Sequence, residues 1–332
     1  MAISVQYIAN GKTTHLEEIV TSVIWSGSVM DGIRKLEVSL ANTVDGRKRA
    51  VSIREGGEIR FYKDNKELFR GIVFLYDIRA NGEQSITAYD EFVYLTKNQE
   101  SRKFTGMTAS QIMKRLCSDF DIPVGTIANT GYVIPKLIME DRSLKEIIVT
   151  ALTLTKKQTG KRFFVYSQNG RMYLSERKTM ARKWIIENGV NLIDASYSVS
   201  MEDLRTQVKV IGGDEKNPII STLKNNTLTK LYGTMQHIEE SSEAKTKSQV
   251  EQLAKQLLKD LGNLSDEASI EAIGIDDVVA GSAVYVIEAM TGLKGGYYVS
   301  TDSHRFEGGN HTMSLTLTAT DELPELEYQP PA

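Results

Sequence analysis

One cysteine, Cys117, stands in 332 residues, so no intrachain disulfide can form and a Cys-rich zinc site is excluded. Proline is scarce too, at six, beside 41% hydrophobic and 25% charged residues. That balance excludes a Pro-rich linker protein and wholesale disorder. No apolar run approaches the ~18 residues of a membrane-spanning helix; the best, Gly71 to Tyr76, stops at Asp77. Met1 to Tyr7 lacks a basic stretch followed by an apolar core, which reads as no secretory signal and a soluble chain made in the cytoplasm. Gly-x-Gly-x-x-Gly, Walker, His-Glu-x-x-His and Gly-x-Ser-x-Gly motifs are missing, so no phosphate cradle, zincin helix or nucleophile elbow is signalled.

What is present is enough chain for more than one domain. Net charge is −3, yet residues 1–100 carry −1, residues 101–185 carry +10 and residues 186–332 carry −12. Such asymmetry points to separate domains with different neighbours.

From Val20 to Tyr89 apolar residues alternate with polar ones, as in Leu36, Val38 and Leu40, or Ile59 and Phe61. Turn pairs such as Asn10-Gly11, Asp45-Gly46 and Asn81-Gly82 separate the runs, the pattern of an antiparallel barrel or sandwich. Past Phe104 the period becomes helical. Thr108 and Gln111 form a capping box ahead of Ile112, Met113, Leu116, Cys117 and Phe120. Ser143 and Glu146 open a second helix carrying Leu144, Ile147, Ile148, Ala151 and Leu152. A hairpin follows, Arg162–Val165 and Met172–Ser175, turned at Asn169-Gly170. Alternation returns from Leu192 and is interrupted once, between Ser241 and Leu261, by a one-sided stripe with Gly262 placed as its left-handed stop. Beyond Leu323 no core pattern remains, and the tail is expected to project free.

Two blocks share one order of features. Gly71 precedes three apolar residues, then come Asp77, a glycine turn, and a strand closing Thr87-Ala88-Tyr89-Asp90-Glu91. Gly296 precedes Tyr297, Tyr298 and Val299, then come Asp302, a glycine turn, and a strand closing Thr318-Ala319-Thr320-Asp321-Glu322. The repeat-defining positions are thus Gly71, Asp77, Thr87 and Asp90 in one copy and Gly296, Asp302, Thr318 and Asp321 in the other. The fold class expected is mainly β with an α+β insertion: two similar antiparallel β-barrels with a small basic α+β domain between them. The boundaries are a first tube-like barrel at 1–100, the basic domain at 101–183, a second barrel at 184–240 and 264–323, a helix inserted in it at 241–263, and a flexible tail at 324–332.

The chemistry-bearing side chains read as structural. His304 and His311 flank a glycine turn and can approach, but without a carboxylate or thiolate motif they read as cross-strand polar residues. Cys117 lies on an apolar helix face, where thiols are inert. The pairs Glu239-Glu240, Asp276-Asp277 and Asp321-Glu322 are sequence neighbours, which on a strand point to opposite sides and cannot face each other across a cleft. Basic doublets at Arg102-Lys103, Lys114-Arg115, Lys156-Lys157, Lys161-Arg162, Arg177-Lys178 and Arg182-Lys183 lie near Phe163, Phe164, Tyr166 and Tyr173, the ingredients of a single-strand platform. Those aromatics fit core-covering hairpin positions, so specific nucleic-acid binding is not expected and an acidic protein surface is the better match. No catalytic residue, cofactor or metal is expected.

The order of barrel, helical unit opening Phe104-Thr105-Gly106-Met107-Thr108-Ala109-Ser110-Gln111-Ile112, then Asp119-Phe120-Asp121-Ile122-Pro123, then a second barrel with a helical insertion, resembles the baseplate hub proteins of contractile phage tails. These form the late-control protein D and VgrG-like superfamily, and the resemblance is nearest to the XkdQ-type hubs of PBSX-like prophages. It implies a homotrimer whose six barrels join a hexameric tail tube protein to a trimeric spike protein, with tape-measure and baseplate wedge proteins as further partners and no membrane. It implies residence in the virion tail after assembly in the host cytoplasm. The edges expected to meet neighbours are the strands ending Thr87–Asp90 and Thr318–Asp321. A tail-associated murein hydrolase and a carbohydrate- or receptor-binding β module are the competing readings.

Overall fold

The computed structural model describes residues 2–177, 184–214, 217–321 and 323–328; the expectations for Lys178, Arg182, Lys183, Glu322 and the last four residues lie outside them. The chain is mainly β with a few helices and forms two compact units, residues 1–196 with 269–332, and residues 197–268.

The first unit begins with seven strands, here lobe 1: β1 (Ile3–Ala9), β2 (Lys12–His15), β3 (Val20–Ser28), β4 (Arg34–Ala41), β5 (Glu58–Lys63), β6 (Lys66–Ile78) and β7 (Glu83–Tyr89). Their ladder runs β2-β1-β5-β6-β7-β4-β3, every pairing antiparallel. The period-two pattern turns Leu36, Val38, Leu40, Ile59, Phe61 and Ile86 to one buried face.

The basic segment follows: α1 (Phe92–Lys97), β8 (Gln99–Thr108), α2 (Ala109–Asp119), β9 (Val124–Ile127), β10 (Val133–Ser143), α3 (Leu144–Thr159), β11 (Phe163–Gln168) and β12 (Arg171–Glu176). Both expected capping boxes form, at Thr108 with Gln111 and at Ser143 with Glu146. The stripes of α2 and α3 close one core over β8 and β10. The tail does not project free through residue 328. Leu326 N donates to Thr153 Oγ1 (3.1 Å), Ile138 N donates to Tyr328 OH (3.1 Å), and Glu325 and Glu327 pair with Lys156 and Lys157. Acidic side chains two apart meet two cations at the end of α3, an attraction that composition alone does not locate.

After the basic segment come β13 (Trp184–Glu187) and β14 (Leu192–Ser200), and, later in the chain, β18 (Ser265–Ile273), β19 (Ala283–Ile287), β20 (Lys294–Glu307) and β21 (Asn310–Thr318), here lobe 2; β14 and β18 each run across the boundary of the two units. Their ladder runs β13-β19-β20-β21-β18-β14. In order of occurrence along the chain this is the path β1-β5-β6-β7-β4-β3 of lobe 1; the first pairing differs in direction, β13 lying parallel to β19 where β1 is antiparallel to β5. The long strand carries a bulge in both lobes, at Phe74 and at Ser300. Just before it Gly56 N donates to Val73 O and Val73 N to Gly57 O, while Gly281 N donates to Val299 O and Val299 N to Ser282 O, all at 2.9 Å. Gly56 and Gly281 both sit at positive φ, 79° and 91°.

This register corrects the match made on letters. With Val73 set on Val299, Gly71 corresponds to Tyr297 rather than Gly296, Asp77 to Ser303, Thr87 to Thr316 and Asp90 to Ala319. Hydrogen bonds and the bulge repeat, while the side chains have slid by one or two positions.

Pairing of β3 with β20 joins both lobes into one 13-stranded sheet whose path ends at β2 and β14; among the described residues it is an open ladder and not two closed barrels. Nor are β7 and β21 edges. Each has a strand on both sides, β4 and β6 beside β7 and β18 and β20 beside β21, since a strand that closes a hairpin can take a further partner on its outer edge.

The second unit holds β15 (Gln207–Asp214), β16 (Asn217–Lys224), α4 (Asn226–Tyr232), β17 (Gln236–Glu240) and α5 (Lys247–Leu261). Its sheet order is β16-β15-β17, and α5, opened by a third capping box at Thr246 and Gln249, packs Val250 and Ala254 onto Val208 and Val210. Strands expected within a second barrel at 184–240 therefore form a sheet of their own, since alternation marks a strand without naming its partner. Gly262 follows α5 at φ −88°, so it is not the left-handed stop expected.

Lobe 1 completes its core with a residue of lobe 2. Phe306 of β20 is fully buried and meets Phe61 edge-on, centroids 4.8 Å apart. Phe306→Ala should destabilise the first unit by about 3–5 kcal/mol, and amide exchange should quicken in β5 before β19. Uniform exchange across both lobes would contradict this.

Candidate functional site

The junction of the lobes buries charged and titratable side chains, among them Asp302 and His304. β3 and β20 pair from Ser22 opposite Glu307 to Ser28 opposite Thr301, and Val29 N donates to Ser300 O at the bulge (2.9 Å). Arg34, opening β4, reaches over Gly27 to Asp302, with Nη1 to Oδ1 at 2.9 Å and Nη2 to Oδ2 at 2.7 Å. A Cβ on Gly27 would stand 2.6 Å from Nη1, so this route needs glycine. The guanidinium lies 4.1 Å over the Trp25 ring. Asp302 is fully buried and also accepts from Ala280 N (2.6 Å), so the buried charge has several donors to offset its desolvation.

Beside it lies a proton-ordered chain. Val278 O only accepts, so His304 Nε2 carries hydrogen (2.9 Å) and Nδ1 accepts from His311 Nε2 (2.9 Å). His311 Nδ1 then accepts from Lys63 Nζ (3.3 Å), which also donates to Asp276 Oδ1 (2.7 Å). Burial holds both imidazoles below their ordinary range. His311 is lowered to about 4, with the charges of His304 and Lys63 adding to burial and Asp276 opposing it. The histidines thus come together as their positions suggested, and they link β5 of lobe 1 to the hairpin of lobe 2. No cluster of three or more metal-ligand side chains occurs among the described residues.

The eight repeat-defining residues do not converge. Asp302 is at the junction, and Asp90 lines a cavity beside it. Gly71 packs against Tyr89 O, Asp77 is exposed on β6, Thr87 lies between Glu37 and Leu75 in the ladder, and Gly296 faces Tyr285. Thr318 Oγ1 donates to Thr320 O (2.8 Å), and Asp321 accepts from Arg177 Nε (2.6 Å). Asp90 is buried beside a cavity of about 230 Å³ that Trp25, Arg34 and Arg70 also line. Its Oδ1 accepts from Phe92 N (3.2 Å), Oδ2 has no partner among the described residues, and burial raises its pKa to about 8. Arg34 and Trp25 escaped sequence reasoning because no local pattern marks them.

Elsewhere the candidates stay structural. Burial pushes the Cys117 thiol up to about 11, far from a nucleophile's range. Much of the positive segment is answered within the chain: Arg102 and Arg115 pair with Asp119, and Arg162 and Arg177 with Asp321. Phe164, Tyr166 and Tyr173 stack on one another.

Comparison with known proteins bears on what such a junction serves. The profile of the YQBQ-like family matches residues 23–318. The uncharacterized protein YqbQ of Bacillus subtilis (strain 168) is 34% identical over 319 residues, covering 95% of this chain and 96% of YqbQ. The phage-like element PBSX protein XkdQ of the same organism is 34% identical over 317 residues, covering 94% of this chain and 96% of XkdQ. Among solved structures, the 43 kDa tail protein of prophage MuSo2 from Shewanella oneidensis shares the fold, with TM-score 0.70 at 14% identity over 95% of this chain and 97% of that one.

Asp302→Asn strands the Arg34 guanidinium and should cost about 3–5 kcal/mol in urea unfolding; Arg34→Met with Asp302→Leu should cost less than the sum of its single changes. Asp90 binds a proton in the folded state that the unfolded chain, with its ordinary value of 3.8, has lost, so its contribution declines as pH rises toward 8. The histidines act oppositely: their folded values lie below 6.5, so stability is lost as pH falls from 6.5 toward 4. Asp90→Asn should therefore flatten the stability profile between pH 6.5 and 8 and steepen the loss on acidification; an unchanged profile in thermal melts would contradict the assignment.

Proposed function

The chain belongs to the YqbQ-like family, and from that premise we propose that it is the structural hub of a contractile phage or phage-like tail baseplate. The observation that carries the reading is one strand order used twice in a single polypeptide. Three such chains around an axis present six similar lobes, so a threefold assembly can meet a sixfold tail tube on one side and a threefold spike on the other. Each lobe is then a barrel-like segment of the ring wall.

Tape-measure and wedge proteins are the other partners, the wedges docking on the basic α+β domain. The work is mechanical and associative and needs no catalytic group or cofactor. Assembly takes place in the host cytoplasm and the product resides in the virion tail. Relatives named for the phage-like element PBSX and for a prophage tail support this placement.

Native mass measurement and low-resolution images of the purified chain test it. A trimer with six peripheral lobes is the expected result. A monomer at the highest soluble concentration, with no ring in assembled tails, would overturn it, and clear lysis of murein by this chain alone would favour a hydrolase.

A further inference from the structure

The seam between the lobes has a counterpart whose two halves both lack a partner strand among the described residues. β20 divides one edge at its bulge: Lys294–Tyr298 pairs with β19, and Thr301–Glu307 with β3. β6 divides in the same manner, with Lys66–Ile72 on β5, but beyond Phe74 no second strand takes that edge among the described residues. Likewise β3 lies between β4 and β20, whereas β14, in the corresponding place, has β18 on one side and, among the described residues, no strand on the other. Apolar side chains stand at both open edges: Phe74 is 39% exposed, Leu75 61% and Ile193 55%. Open backbone groups flanked by exposed apolar side chains form a template for strand addition, which a soluble protein must cover or suffer aggregation.

We propose that β14 of one copy adds to β6 of the next beyond its bulge, repeating between chains the ladder that β3 and β20 form within one. The occupant of each open edge is thus a second copy of this chain. The inference rests on the hub reading and supplies its ring with a specific contact. The contact is heterologous, the tail of one chain meeting the head of the next, so it propagates until rotation closes it. On the hub reading that closure comes at three copies and six lobes.

The register follows from the repeat. In lobe 1, Ile24 faces Glu37, which faces Thr87. Thr87 corresponds to Thr316, each lying opposite the first residue after the bulge, Leu75 or Thr301. Bonds from Gly274 N to His311 O, Ser314 to Glu271 and Ser196 to Ser269 carry the same count across lobe 2, so Ser196 occupies the place of Ile24. Arg79, the first residue past β6, continues its ladder through a bond from its N to Glu83 O (2.8 Å) and occupies the place of Arg305, five positions beyond its bulge residue Phe74 as Arg305 is beyond Ser300. Ile24 and Arg305 are ladder partners. Ser196 of one copy should therefore face Arg79 of the next, at a separation that a disulfide spans.

The experiment uses the full chain with Cys117 in place, since its buried thiol does not compete. Arg79→Cys with Ser196→Cys, oxidised, should yield disulfide-linked species that stop at three chains on a non-reducing gel, while each single variant stays at one chain. Leu75→Lys alters an exposed position and should keep its melting temperature, yet weaken self-association in sedimentation about tenfold or more by leaving a cation unpaired in the seam. A wild-type trimer whose double variant does not cross-link, and whose association ignores Leu75→Lys, overturns the contact and leaves the hub standing. Cross-links without a trimeric mass overturn the hub and keep the contact. A persistent monomer with no cross-link overturns both.

Discussion

A guanidinium and a carboxylate 268 positions apart in sequence hold β3 against β20, and the arrangement of the lobes depends on that seam. Backbone pairing alone would set distance but tolerate slippage. The two-pronged contact of Arg34 with Asp302, backed by Trp25 and by Ala280 N, fixes the register, because a shift of one residue would leave a buried charge without its partner. Lys63, His311 and His304 add a second lock made of neutral and charged hydrogen bonds, running from β5 to the loop at Val278.

With that seam fixed, the other elements take places that leave it undisturbed. The second unit enters the chain between β14 and β18, whose counterparts in lobe 1, β3 and β4, are joined by a short connection. An insertion there alters no strand order. The basic segment keeps its own core of α2 and α3 over β8 and β10, and it takes up the acidic tail through Lys156 and Lys157. The uneven charge along the sequence is therefore partly an account of the chain binding itself.

How much of this was legible in sequence divides by range. Capping boxes at Thr108 and Ser143 were read correctly because a cap is decided within four residues. Alternation identified the strands around Leu36, Ile59 and Ile86 for the same reason. α1 and α4, of six and seven residues, are too short to display a helical period and went unread. Partner choice was illegible: nothing local distinguishes β15 and β16, which form their own sheet, from β18, which joins the large one. The repeat was visible as an order of features, but its letters misled by one or two positions, since what recurs is the pattern of backbone hydrogen bonds and the bulge, which no single residue type marks. The junction itself, Arg34 with Asp302 and Trp25, has no short-range signature at all.

Phe306 carries a consequence for biosynthesis. The N-terminal lobe emerges first, yet the ring that fills its interior is supplied near the end of the chain. A nascent or truncated polypeptide must wait with an unfilled core, so maturation of the earliest-made lobe is deferred until translation is almost finished.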